Sequence, residues 1–541
     1  MQSLQTAVSY ISVNPSSVHG GTDPQLQENR HTLETIKDHL KALQGLTHAM
    51  ALMGWDTETH MPEQGTARRG EAYGVLAGLH HERLTDAVLA SKVEKLGTQL
   101  SFNSQEKPAI QGLTYPEAMA IKTLYRSIQK AKKVPTQLIS QLSEATSKAQ
   151  PAWVEARKTN QFKVFQPHLE TIVKLTQDYA DCLGWEQHRY DALLDEYEEG
   201  LTVATLDPLF QELQTGLTHL LQKIGTGLSR DRFPWLQTSV PGAVQKQLSQ
   251  HLANHLGFDL HAGRIDEAAH PFCSGSHAQD VRLTNRYFPH DWTSSLFSLL
   301  HETGHGLYEQ GIREALYPLG LAEGASMAIH ESQSRLWENL VGRSLPFWSH
   351  MFGTVKQVLQ TQLGHNPLET VDVLSFHQAM NCVSPSLIRV EADEVTYNLH
   401  VIVRYELEKQ LIAGTLEVAD IPEAWNHLYE TYLGIIPKTD TEGCLQDVHW
   451  SHGSFGYFPT YTLGNLYSAM ILKQVEKEIP TLWNHIASGE CHVLRDWLKE
   501  HIHQYGKLFT PKELILEVTG KPLSMAPFLS YLEEKYLAFL P

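Results

Sequence analysis

The chain has 541 residues, 42% hydrophobic and 19% charged, a balance that can bury a sizeable core and excludes disorder throughout. Its 43 basic and 61 acidic residues leave a net charge of -18, which argues against a nucleic-acid partner, because that affinity rests on basic patches. The five cysteines, Cys182, Cys273, Cys382, Cys444 and Cys491, are odd in number and far apart with no C-x-x-C pair, the usage of a reduced, cytoplasmic protein.

Residues 1–25 are rich in Ser, Gln and Gly and read as a flexible leader. No Lys or Arg precedes Arg30 and no window approaches eighteen apolar residues, so neither a secretory signal nor a membrane span is expected. From residue 26 to 541 helical periodicity dominates and predicts a single, mainly α domain. Ile36, Leu40, Leu43 and Leu46 share a face over residues 34–53, and similar patterns recur over 398–413 and 528–540. The turn cluster at residues 229–242 marks a joint between two halves rather than a linker. Strand-like alternation is rare and is clearest over residues 280–288, with Val281, Leu283 and Tyr287 on one side. Phosphate-cradling patterns are missing: there is no G-x-G-x-x-G, and Gly520-Lys521 lacks the rest of a Walker loop.

Just past the strand stands SLLHETGHGLYEQ, residues 298–310, in which His301, Glu302 and His305 form H-E-x-x-H. With thirty histidines such a match arises by chance in roughly one chain in ten, so its surroundings must decide. A decoy, His251 and His255 in HLANH, has the same spacing but offers Leu252 in place of a carboxylate, and reads as a solvated helix face. Around His301 the signals agree. Asp291 can cap a helix, and Leu296, Leu299, Leu300 and Leu307 supply its apolar stripe, which places His301 and His305 one turn apart on one face. Two imidazoles so placed can chelate one Zn²⁺, with Glu302 to the side where it can take a proton from an activated water. A catalytic site needs a third ligand and an open position. Glu331 is the candidate, on a helix predicted over residues 324–340 that the turn at 316–320 folds back; His330 competes, about 100° around the helix.

These residues belong to a wider set. The chain resembles the carboxypeptidase Taq family of zinc metallopeptidases through His270-Pro271-Phe272, D-V-R-L-T at residues 280–284, H-E-T-G-H at 301–305, H-E-S-Q-S-R at 330–335, I-R-V-E-A-D at 388–393 and G-C-L-Q-D-V-H-W at 443–450, with an N-terminal signature at 54–71. Six ordered motifs over about 180 residues are far more specific than one pentapeptide. The resemblance implies a large helical fold with a deep substrate groove, a small β-sheet beside the zinc and a homodimer. It implies removal of single amino acids from peptide C-termini with broad specificity. Carried over residue by residue, it makes His301, His305 and Glu331 ligands of one Zn²⁺ per chain, with Co²⁺ as an alternative, and Glu302 the general base and acid.

The chemistry asks for two more sets of residues. Donors for the tetrahedral oxyanion are expected from the Gly- and Tyr-rich residues 449–465, where Tyr461 or Tyr457 serves with His449 or His452. A fixed cation for the substrate's terminal carboxylate is expected at Arg389, with Arg282 the runner-up; a buried ion pair of Arg389 with Glu391 or Asp393 is the alternative. If residues 280–284 form a strand, they can pair with an extended peptide as an added edge. Two rivals stand beside this reading: an endopeptidase or dipeptidase on the same frame, and a non-catalytic helical protein with structural zinc.

Overall fold

Asp23 opens the first helix: its side chain accepts the Gln25 N–H, and Pro24 takes the first turn, where a missing N–H costs nothing. The computed structural model describes residues 23–102, 107–225 and 229–540, so most of the expected leader lies outside the described residues, while Pro24 and Gln25 are already helical. This helix, α1 (Pro24–Thr59), buries Leu33, Ile36 and Leu43 against α3 (Ala87–Gly97) and α4 (Tyr115–Lys133) in a small apolar cluster. Between them α2 (Thr66–Leu84) lies along α1 and buries no described side chain, leaving Tyr73, Val75 and Leu79 exposed.

A second, much larger apolar cluster runs from Met119 to Tyr536. It takes in α5 (Thr136–Thr159) and α6 (Phe162–Leu183), which pack on each other, then α7 (Gly242–Leu256), and it continues on both sides of the joint at residues 229–242, where Leu236 is itself buried in it. The predicted periodic segments become α10 (Tyr397–Ala413) and α12 (Ala526–Leu537), introduced here with the elements that precede them around the site: α8 (Trp292–Gly311), α9 (Met327–Arg335) and α11 (Pro459–Glu478). No helix among the described residues is long and apolar enough to cross a membrane.

Strands are few. Short β1 (Ser101–Phe102) and β2 (Pro108–Ala109) pair with each other, and β3 (Gly263–Glu267), β4 (Cys273–His277) and β5 (Asp280–Asn285) form a sheet in the order β3-β5-β4. The predicted strand is therefore β5, central in the sheet, parallel to β3 and antiparallel to β4. Val281 and Leu283 are buried, and Leu283 meets α8 at Gly306, where a Cβ would fall 2.9 Å from Leu283 Cδ2.

Helix α9 is wedged between α8 and α11 by two close approaches. A Cβ on Gly304 of α8 would lie 2.5 Å from the Gln333 carbonyl oxygen and 2.6 Å from Ser334 Cα; one on Gly464 of α11 would lie 2.5 Å from Glu331 Cγ. Neither neighbour of Gly304 can yield, since both are backbone. Gly304→Ala should therefore destabilise the protein by about 2 kcal/mol despite the better helix propensity of Ala, read as a lower urea midpoint.

Candidate metal centre

One turn of α8 sets the His301 and His305 rings 4.8 Å apart, and α9 brings Glu331 against both. Glu331 Oε2 lies 3.6 Å from His301 Nε2 and 3.4 Å from His305 Nε2. Tetrahedral donors at about 2.0–2.1 Å from an ion stand roughly 3.3 Å from one another, so two imidazole nitrogens and one carboxylate oxygen at this spacing fit a divalent metal. Among the described residues this is the one group whose ligand atoms converge, all within 4.8 Å of one another.

Each converging side chain is held from behind. His301 Nδ1 donates to Glu338 Oε2 at 2.8 Å, and Glu338 sits in the π-helical turn Leu336–Val341 that continues α9. His305 Nδ1 meets His330 Nδ1 at 2.5 Å, and His330 Nε2 lies 2.7 Å from Glu309 Oε1. His330, the rival ligand, is thus placed behind His305 rather than among the converging donors. Arg335 Nε donates to Glu331 Oε1 at 2.7 Å. These contacts fix ring orientation and tautomer, as outer partners of metal-binding histidines commonly do.

Burying so many ionisable groups together moves their titration apart. Burial alone would lower His301, but Glu331 and Glu338 outweigh it and raise it to about 8; burial takes His305 down to about 3. Burial would also raise Glu331 and Glu338, yet Arg335 and the histidines hold Glu331 well below the carboxylate range and Glu338 at about 2. Glu302 is pushed up to about 7, first by burial. Of the glutamates Glu302, Glu309, Glu331 and Glu338, it alone makes no side-chain hydrogen bond or ion pair among the described residues.

The oxyanion candidates divide. His449 Nε2 lies 3.2 Å from Tyr461 OH, Tyr457 and Tyr461 pack edge-on at 5.3 Å, and Glu331 is close enough to add to burial in raising both phenols. His452 is exposed. Arg389 lies beside them, 4.8 Å from the Tyr461 ring, but in a buried pair whose partner is neither Glu391 nor Asp393. Its Nε and Nη2 donate to Asp447 Oδ1 at 3.1 and 2.7 Å and its Nη1 to Tyr397 OH at 3.0 Å, while Arg404 takes the other oxygen of Asp447 at 2.6 and 2.7 Å. Asp393 instead accepts the N–H groups of Ser384, Val395 and Thr396.

Two expectations are corrected. Arg282 is not at the site: Leu283 faces α8, so its neighbour points to the other face of the sheet, where it pairs with Asp280 at 2.8 Å and covers the Trp55 ring at 4.3 Å. Residues 280–284 cannot add a substrate strand either, because β5 has a neighbour on each side; the sheet edge on the other side of β5 from β3 belongs to β4. The HLANH decoy is only half solvated, since His251 is exposed but His255 Nε2 lies 3.4 Å from Cys491 Sγ.

Sequence reasoning passed over Glu338, Glu309, Arg335, Tyr397 and Asp447. A signal existed for three of them. Glu309 and Arg335 follow His305 and Glu331 by four residues and Glu338 follows Glu331 by seven, spacings that return to the same helix face. Asp447 stands in the G-C-L-Q-D-V-H-W motif at residues 443–450, but its pairing with Arg389, like that of Tyr397, joins separate elements and no local spacing records it.

A helical body with a two-His, one-Glu donor set and an adjacent unpaired glutamate defines a metallopeptidase-type centre. The comparisons narrow the class. The family model for carboxypeptidase Taq (M32) metallopeptidases matches residues 35–536. Thermostable carboxypeptidase 1 of Thermus thermophilus is 41% identical over 497 residues, covering 90% of this chain and 95% of that one, and carboxypeptidase 1 of Bacillus subtilis is 36% identical over 507, covering 94% and 98%. The solved M32 carboxypeptidase of Deinococcus radiodurans R1 superposes with a TM-score of 0.87 at 34% identity, over 94% of this chain and 99% of that one. The chain belongs to the carboxypeptidase Taq (M32) family, and it is a metallocarboxypeptidase, a hydrolase of peptides.

The Asp447 pair yields a stability test. Burial would raise this carboxyl, but Arg389 and Arg404 hold it well below its ordinary value. A depressed folded pKa contributes stability that is complete above the unfolded value of about 3.9 and is lost as pH falls below it toward the folded pKa. Asp447→Asn, which leaves two buried guanidinium groups without their counter-charge, should cost about 3–5 kcal/mol at pH 7. In urea titrations the difference from wild type should shrink as the pH is taken below about 4.

Proposed function

We propose that this enzyme is a zinc-dependent carboxypeptidase of broad specificity that releases single amino acids from peptide C-termini. In this reading His301, His305 and Glu331 hold one Zn²⁺, with Co²⁺ accepted in its place, and Glu302 is the general base. The observation that carries it is the contrast among the four glutamates: three are tied to a histidine or arginine, and Glu302, next to the converging donors, is free to move a proton.

A divalent ion bound there would supply Lewis acidity to the substrate carbonyl and to the attacking water. Glu302 takes the proton from that water and delivers it to the leaving amine. Tyr461 donates to the developing oxyanion, with His449 Nε2 holding its hydroxyl and Tyr457 packed beside it. Arg389 keeps two of its five N–H donors after Asp447 and Tyr397 are served, and its place beside Tyr461 supports a bond to the substrate's terminal carboxylate. Burial of Arg389 and its bonds to Asp447 and Tyr397 support a fixed rather than a mobile anchor.

The test offers one peptide as free acid and as C-terminal amide to the zinc-loaded enzyme, the chelated enzyme and Glu302→Gln, with products weighed by mass spectrometry. Shortening of the free acid alone, one residue at a time, is expected, with chelation abolishing it and the variant losing at least about 10²-fold in kcat. Internal or pairwise cleavage of the amide would remove Arg389 from its assigned role and favour the endopeptidase or dipeptidase rival.

The same reading includes a single domain over residues 26–541, peptide degradation in the cytoplasm and assembly as a homodimer. Sedimentation equilibrium of the full chain should return twice the chain mass; a monomer at micromolar concentration would refute the dimer.

A further inference from the structure

The two oxygens of Glu331 do different things. Oε2 faces the two imidazole nitrogens at 3.6 and 3.4 Å and lies 3.1 Å from Ser334 Oγ, whose hydroxyl makes its shorter bond to the Glu331 carbonyl at 2.7 Å, while Oε1 accepts from Arg335 Nε at 2.7 Å. Nη1 of the same guanidinium reaches Glu338 Oε2 at 3.3 Å, the oxygen that holds His301 Nδ1. The guanidinium carbon sits 4.2 Å from the centre of the Tyr397 ring, and the Tyr397 hydroxyl is fixed in turn by Arg389 Nη1 at 3.0 Å. One planar fork, stacked on an aromatic ring, therefore grips both a converging carboxylate and the support of a converging histidine.

We propose that Arg335 is a positioning residue that confines Glu331 to one-oxygen coordination and, through Glu338, sets the His301 ring. The inference rests on the ligand assignment above. A carboxylate with both oxygens free can swing to grip an ion with both, filling the position that a catalytic site must leave for water. Occupying Oε1 with an N–H donor prevents that swing. A bare positive charge would offset the repulsion among Glu302, Glu309, Glu331 and Glu338, but it would not select an oxygen. Lysine separates the two roles, because its ammonium keeps the charge without the planar fork or the stacking surface.

The experiment compares wild type, Arg335→Lys, Arg335→Met and Glu331→Gln as full chains. Zinc affinity is read by competition with a chromophoric chelator, and the visible absorption of the cobalt-loaded proteins reports coordination number, since four-coordinate cobalt absorbs far more strongly than five- or six-coordinate. Arg335→Lys is expected to bind zinc about 10- to 100-fold more weakly and to show a weaker cobalt band per bound ion. The Met variant should show the same change or a larger one, and its melting curve without metal shows whether it folds; if it does not, the Lys variant decides. A Lys variant with wild-type affinity and spectrum would overturn the proposal and leave Arg335 as a counter-charge only. Unchanged affinity in Glu331→Gln would instead overturn the ligand assignment, and the proposal with it. Loss of affinity in Glu331→Gln beside an unaltered Lys variant would refute the positioning role alone.

Discussion

The site depends on how closely α9 lies between two neighbouring helices. Gly304 lets the backbone of α9 meet α8, and Gly464 lets the side chain of Glu331 press against α11. A methyl group at either point would occupy space already held by backbone or by the Glu331 stem. Because packed interiors resist small displacements, this contact sets the Glu331 carboxylate against both imidazoles, and everything built on that carboxylate inherits its position. Gly304 stands inside H-E-T-G-H itself, so one short stretch supplies the donors and the clearance that brings the third donor to them.

Electrostatics then decides what each buried group can do. Four glutamates gathered in one buried region would repel one another and lose hydration, a cost that needs specific partners. Arg335, His301 and His330 provide those partners for three of them, which leaves one carboxylate unengaged. The π-helical turn after α9 bears on the same arrangement. It widens the helix where Glu338 must reach back to His301 Nδ1, the kind of place where such turns occur in functional sites. On the far side of Tyr397, Asp447 is shared by two arginines, so charge is balanced by fixed pairs rather than by solvent.

Much of this was legible along the chain. Helix-period patterns and the sparse strand signal predicted a mainly α protein, and the one-turn spacing of four residues put His301 and His305 on one face, while the small sheet and the choice of Glu331 over His330 came only from the family resemblance. The support residues at four- and seven-residue spacing were equally readable. The errors share one origin. Arg282 sits in a motif and has the right chemistry, but strand alternation turns it away from α8, and its pairing with Asp280 and Trp55 cannot be seen from local order. The partner of Arg389 was sought two to four residues away and lies fifty-eight residues on.

The sequence by itself determined the elements, their apolar faces, the family and the donor types, since each depends on residue identity and on periods of two or 3.6 residues. Only the tertiary structure decided which strand is central, which glutamate is left unpaired, that Asp447 joins two arginines, and that Arg335 touches both Glu331 and Glu338. Those are distances between groups on separate turns or separate elements, and they are set by packing, which no local pattern of residues records.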